Sequence, residues 1–165
     1  MSEEAVAGLK KDKPLDVTAK QDLQEQNKEV VRRLLMDCFS GGNLEVLDEI
    51  ISPEFEFEYP NLSPGIEGLK ALVKKNNECF EGWQFTMHDV LAVDDKVVVR
   101  WSASGIHVKS FLGESTTKKK VQLKGTAIYL LKNGMILKDW VEPDNLGFLT
   151  QLGVLAPIDF AADRK

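Results

Sequence analysis

Cysteine, histidine and net positive charge are all scarce in this 165-residue chain, and each scarcity excludes something. Two cysteines, Cys38 and Cys79, cannot build a disulfide framework, and no Cys-x-x-Cys pair exists. Both fall on the apolar side of predicted helices, so they read as small core residues with reduced thiols, as in a cytoplasmic protein. Two histidines are too few to combine with the acids into a metal site, so no metal is expected. Lys and Arg number 21 against 26 Asp and Glu, a net charge of −5. No basic field exists to attract nucleic acid or anionic lipid, so neither nucleic acid nor a membrane is an expected partner. No apolar run approaches the ~18–20 residues of a membrane span, and the acidic N-terminus has no signal core. Gly-rich phosphate loops, a Gly-x-Ser-x-Gly elbow and an activated-cysteine signature are missing too. With 43% apolar residues, the chain can build one core around a small molecule or a protein partner.

The pattern of what is present divides the chain into an N-terminal arm (1–17), one domain (18–156) and a loose tail (157–165). Thr18 with Gln21 forms a capping box. Leu23, Val30, Val31, Leu34, Leu35, Cys38 and Phe39 then recur at helical spacing up to Gly41-Gly42. Asn43 can cap a short helix over 44–51 that Pro53 stops. Residues 54–59 alternate Glu-Phe-Glu-Phe-Glu-Tyr, a strand with one wet face. Pro64 opens a third helix through Ile66, Leu69, Leu72 and Val73. Four long strands follow, over 83–93, 96–108, 119–132 and 135–142. Asp94-Asp95 and Asn133-Gly134 are their hairpin turns. Trp83, Phe85, Met87, Leu91 and Val93 share one phase of the first of these strands. Val97, Val99, Trp101, Ala103 and His107 share one phase of the second. Helices segregated from an antiparallel sheet define an α+β fold, with the helices covering one face of a curved sheet.

Several segments, in this order and spacing, carry a resemblance. They include Asn27-Lys28-Glu29-Val30-Val31-Arg32-Arg33, Gly42-Asn43-Leu44, Ser52-Pro53-Glu54-Phe55 and Pro64-Gly65-Ile66-Glu67-Gly68-Leu69. Leu47-Asp48-Glu49, Val97-Val98-Val99-Arg100-Trp101, Gly105-Ile106-His107, Phe111-Leu112-Gly113, Asn133-Gly134-Met135-Ile136, Trp140, Asp144 and Leu146-Gly147-Phe148-Leu149-Thr150-Gln151-Leu152-Gly153 also belong to it. The chain resembles the SnoaL-like polyketide cyclase family, within the NTF2-like folds. That resemblance implies an NTF2-like cone with an internal pocket, a homodimer, and no metal or organic cofactor. It implies an intramolecular aldol cyclisation of a hydrophobic, polyketide-like small molecule; relatives act as isomerases, hydroxylases or hydrolases. It also implies a carboxylate acid/base near the end of the last strand, where Asp144 is the positional match. The chain departs from the family in placing Glu58 where a histidine often stands. It has Lys138-Asp139 for Glu-His, and Val141 for the acid that commonly follows the last-strand tryptophan.

The candidate catalytic residues are Asp144 and His107. An acid beside Trp140 in an apolar cavity would have a raised pKa and could move a proton. The alternative for Asp144 is an N-cap of the segment that follows. His107 lies on the inward phase with Trp101 if no bulge intervenes, and can hold a ligand oxygen; the alternative is a hydrogen-bonded histidine at the sheet's rim. The candidate substrate-binding residues are Tyr129, Trp101, Phe57, Tyr59, Trp140 and Glu58. Tyr129 could polarise a carbonyl, or be a core tyrosine. Trp101, Phe57 and Trp140 would be apolar walls, with Tyr59 near the mouth. The expected function is acid/base chemistry without a cofactor on a carbonyl compound. The alternatives are a non-catalytic binder of hydrophobic ligands and a dimeric interaction module.

Overall fold

The computed structural model describes residues 17–56 and 62–157. The expected arm before residue 17 and tail after 157, and the side chains of Phe57, Glu58 and Tyr59, lie outside the described residues. Helix α1, Val17–Arg32, runs directly into a π-helical segment, Arg33–Ser40. Thr18 therefore lies inside the first turn of α1. Helices α2, Glu45–Ile50, and α3, Gly65–Cys79, follow the apolar spacing expected of them. A further helix, α4, Asn145–Leu152, forms from the apolar stretch after the last strand. No described helix is long and apolar enough to cross a membrane.

Strand β1, Ile51–Glu56, begins earlier than its alternating pattern suggests, because Ile51 pairs with the last strand. Strands β2, Phe80–Val93, β3, Lys96–His107, β4, Lys120–Lys132, and β5, Met135–Pro143, form the antiparallel meander. The sheet order is β1-β5-β4-β3-β2, with β1 parallel to β5. This is the mixed, unclosed α+β sheet of an NTF2-like fold. Asn133 and Gly134 both take positive φ, 54° and 75°, as their hairpin turn requires.

Bulges decide which side chains face the helices. In β2, Asp89 pairs with Arg100 but Met87 pairs with Trp101, so His88 is an extra residue. The phase flips there. Val90 and Ala92 pack on the core, and Leu91 and Val93 face solvent. These last two therefore do not share the phase of Trp83, Phe85 and Met87, the phase expected of the odd positions on either side of a break at Asp89. In β5, Leu131 pairs with Ile136 but Leu130 pairs with Lys138, so Leu137 is the extra residue. Beyond it, Asp139, Val141 and Pro143 share the inner face with Tyr129, Ala127 and Gly125.

The inner face meets α1, the π-helical segment and α3 in one core, which includes Val31, Leu35, Leu47, Val73, Val97, Val99 and Ile136. The end of the π-helical segment is tied to the sheet by one buried hydroxyl. Ser40 Oγ donates to the Leu35 carbonyl and accepts the Phe85 N–H, both at 2.9 Å. Ser40→Ala should therefore strand a buried backbone donor and lower stability by about 1–3 kcal/mol, measured by urea denaturation.

Candidate active site

Two titratable groups of the inner face, Tyr129 and Asp139, come together at β4 and β5. Counting back from the Asn133-Gly134 turn would set Lys138 opposite Tyr129. The Leu137 bulge advances β5 by one residue, so Asp139 pairs with Tyr129 instead. Burial pushes the Asp139 carboxyl up to about 6, against a smaller opposing backbone hydrogen bond. Tyr129 is buried, and burial, then the nearby Asp139 charge, drive its phenol well above the ordinary tyrosine range. The phenol thus keeps its proton and can only donate or accept a neutral hydrogen bond. Asp139 titrates close to working pH and can do both halves of a proton transfer.

Next along this face lie Ala127 and Val141, then Gly125 and Pro143. Ala127 is buried, but Val141 is 41% exposed, so the inner face opens to solvent beside Asp139. Trp101 pairs with Gly125 from β3. Its ring packs on Phe85 at 5.1 Å, and its Nε1 is buried without a hydrogen-bond partner.

The other candidate residues sit elsewhere. His107 is on the inner face, fully buried, and paired with Phe80. Tyr129 pairs with Val97, ten residues away along β3, which is roughly 33 Å of extended strand. His107 and Tyr129 therefore do not converge on one small ligand. The Thr117 N–H donates to His107 Nδ1 at 3.2 Å, which leaves the ring proton of the neutral form on Nε2. The Thr116 hydroxyl and the Lys118 N–H donate to the His107 carbonyl, so this residue also pins the β3–β4 connection. Trp140, expected as a pocket wall with Trp101, is turned to the outer face by the Leu137 bulge and pairs with Ile128. Asp144 is exposed at the N-terminus of α4, where Oδ1 accepts the Gly147 N–H at 2.8 Å.

Asp144 and Trp101, two of the expected site residues, both line an open hollow of about 660 Å³, together with Gly125 and Pro143 of the inner face and His88, Arg100, Ser102 and Glu142. There the bulged His88 meets Ser102 Oγ through Nε2 at 2.8 Å, and Arg100 pairs with Asp89 at 2.6 Å.

The profile of the SnoaL-like polyketide cyclase family matches residues 29–152. The chain belongs to the SnoaL-like polyketide cyclase family. TsrD from Streptomyces laurentii is 27% identical, with a TM-score of 0.74, over 80% of this chain and 98% of that one. IdmH from Streptomyces antibioticus, a candidate polyketide cyclase, is 26% identical with a TM-score of 0.66, over 78% and 99% of the two chains. AclR from Streptomyces galilaeus, a candidate hydroxylase, shares the fold at 16% identity and a TM-score of 0.73, over 84% of this chain and 87% of that one. No functionally curated protein matches significantly.

Within this SnoaL-like scaffold the position after the last-strand tryptophan is Val141, without a carboxylate. The inward carboxylate of β5 is Asp139, two residues earlier on the same face. The sequence signal for it was the Lys138-Asp139 departure, but the bulge that turns it inward has no signature in the residues. Asp144 makes the contact of a helix cap, which gives a clear expectation. Asp144→Asn should leave stability within a few tenths of a kcal/mol and Asp144→Ala should cost about 1 kcal/mol, read from thermal melts.

Proposed function

We propose that this SnoaL-like protein is an enzyme that uses Asp139 as acid and base on a hydrophobic, carbonyl-bearing, polyketide-like small molecule. The observation that carries this is the half-buried Asp139 carboxyl, raised to about 6 and set opposite a protonated Tyr129. In an aldol closure, ionised Asp139 removes a proton from the carbon beside one carbonyl. The resulting enolate carbon bonds to a second carbonyl carbon of the same molecule, whose oxygen becomes an alkoxide. Protonated Asp139 returns its proton to that alkoxide, so no atom is gained or lost. The Tyr129 hydroxyl is available to donate to the enolate oxygen during the transfer. Asp144 and His107, the positional candidates, are assigned here to capping α4 and to holding the β3–β4 connection.

The test is turnover of an acyclic diketone that closes to the isomeric six-membered β-hydroxy ketone, followed by proton NMR. Asp139→Asn should lower the rate by about 10²–10⁴-fold. The wild-type kcat/KM should rise with pH below about 6 and level off above it, as the carboxylate form fills. Stability should move the opposite way. The folded-state carboxyl is raised, so the folded protein holds the proton more tightly than the unfolded chain. Stability therefore falls as pH rises from the ordinary aspartate range through about 6, and stays lower above it. Near neutral pH, Asp139→Asn should thus be more stable than wild type by about 1–2 kcal/mol. A variant that is inactive and also less stable would sink this assignment.

The protein is further proposed to act as a homodimer through the outer face of the sheet. Leu91, Val98, Ile128 and Trp140 are consecutive cross-strand partners there, an apolar row across four strands. Leu91, Ile128 and Trp140 of this row are exposed. A twofold axis over the row lays Leu91 of one copy on Trp140 of the other, a self-complementary match. Sedimentation velocity should give a dimer for the wild type and a monomer for Ile128→Glu; a monomeric wild type at micromolar concentration would overturn the dimer.

A further inference from the structure

We propose that His88 and Ser102 form a second reactive centre, a base and a nucleophile that together cleave small neutral esters in the open hollow. The proposal stands on residues outside the Asp139–Tyr129 pair and does not depend on the reaction assigned to them.

The β2 bulge makes this pair. Ser102 and Arg100 occupy neighbouring outward positions of β3, opposite Thr86 and Asp89 of β2. In an unbroken strand His88 would stand opposite Arg100. The bulge gives that place to Asp89, whose carboxylate pairs with the Arg100 guanidinium at 2.6 Å. His88, left without a cross-strand partner, meets Ser102 instead, with Nε2 2.8 Å from Oγ. Bulges recur beside active sites because they re-aim a side chain in this way. Ser102 is 7% exposed, and its hydroxyl has no other hydrogen bond among the described residues. A hydroxyl so placed needs an acceptor for its proton, so Oγ donates and Nε2 accepts. That is the arrangement in which an imidazole withdraws the proton of a serine as its oxygen attacks.

The surroundings fit an ester. His88 is exposed, and both residues line the open hollow of about 660 Å³, so the pair faces a space that solvent and a small ligand enter. Lys124 lines the same hollow and is the direct cross-strand partner of Ser102, with the two Cβ atoms roughly 5 Å apart. Its ammonium makes no ion pair among the described residues and is available to hold an oxyanion. Arg100 and Lys124 balance Glu142 and Asp144 around the hollow, so no net charge of these four selects an ionic substrate. In the reaction, Ser102 Oγ bonds to the ester carbonyl carbon while Nε2 takes the hydroxyl proton. The carbonyl oxygen becomes an oxyanion beside Lys124. Its collapse breaks the bond to the alkoxy oxygen, which takes the proton from Nε2 and leaves as the alcohol. Water then attacks the acyl group on Ser102, giving one proton to Nε2. That proton returns to Oγ as the carboxylic acid departs, so ester and water become alcohol and acid.

Two probes test this on the full chain. One is p-nitrophenyl butyrate, whose hydrolysis releases coloured p-nitrophenolate. The other is an alkyl fluorophosphonate, which loses fluoride to an activated serine and leaves a stable adduct. The wild type should take the phosphonate at Ser102, located by peptide mass spectrometry, and should turn over the butyrate ester. Ser102→Ala should lower ester turnover about 10²-fold or more. His88→Gln, whose amide can still bond the Ser102 hydroxyl but cannot take its proton, should slow both phosphonate labelling and ester turnover by about 10²-fold. Labelling of the wild type does not depend on either variant folding, so the site is tested even if one of them does not fold. An unlabelled wild type, an adduct on another residue, or a labelling rate unchanged in folded His88→Gln would each overturn the proposal. So would ester turnover by wild type no faster than by folded Ser102→Ala, since surface lysines and histidines alone would then account for it.

Discussion

One extra residue in the last strand governs the chemistry available to this fold. Leu137 has no partner across β4, and every residue of β5 after it changes face. Without that bulge, Lys138, Trp140 and Glu142 would point at the helices. With it, Asp139, Val141 and Pro143 do, and a carboxyl rather than an ammonium stands against Tyr129. A one-residue shift exchanges the entire set of side chains on a strand, because the side-chain period is two. The same event in β2, at His88, exposes Leu91 and Val93 and brings Val90 and Ala92 into the core. These two bulges, with a further register shift between Glu81 and Gln84, define the inner face and the outer face together.

The inner face divides along its length. At one end Phe80, Trp83, Phe85, Phe111 and Phe148 pack ring against ring with the buried His107. That end is a filled hydrophobic core with a histidine holding the β3–β4 connection. At the other end the floor is made of small or open positions, Gly125, Ala127 and Val141, bordered by Trp101, Tyr129 and Asp139. Burial that raises the Asp139 carboxyl destabilises its charged form at neutral pH, which the surrounding core must offset. A carboxyl kept at that cost is characteristic of a functional site. Asp144 is exposed and bonded to the first turn of α4.

The outer face has a different physical character. An apolar row crosses four strands beside a polar hollow that contains the His88–Ser102 hydrogen bond and the Asp89–Arg100 ion pair. Trp140 belongs to this face, and so contributes to association between copies in the proposal above rather than to the wall of the cone.

Much of the architecture was legible from residue order alone. Alternation of apolar and polar residues located the long strands, and the glycine and asparagine turns joined them, because these signals depend only on local backbone preferences. Helical spacing located α1, α2 and α3 for the same reason. The match to the SnoaL-like family also followed from linear segments, since their order survives without knowledge of any contact. The pairing of β1 with β5, the π-helical turn that seats Ser40 under Phe85, and the two bulges came only with the tertiary structure. Those features are settled by distant packing, where burying one apolar face outweighs the local preference for an unbroken strand or a regular helix. Trp101 shows the division well: its inward phase was readable from β3, but its orphan N–H and its seat on Gly125 exist only once β4 lies beside it.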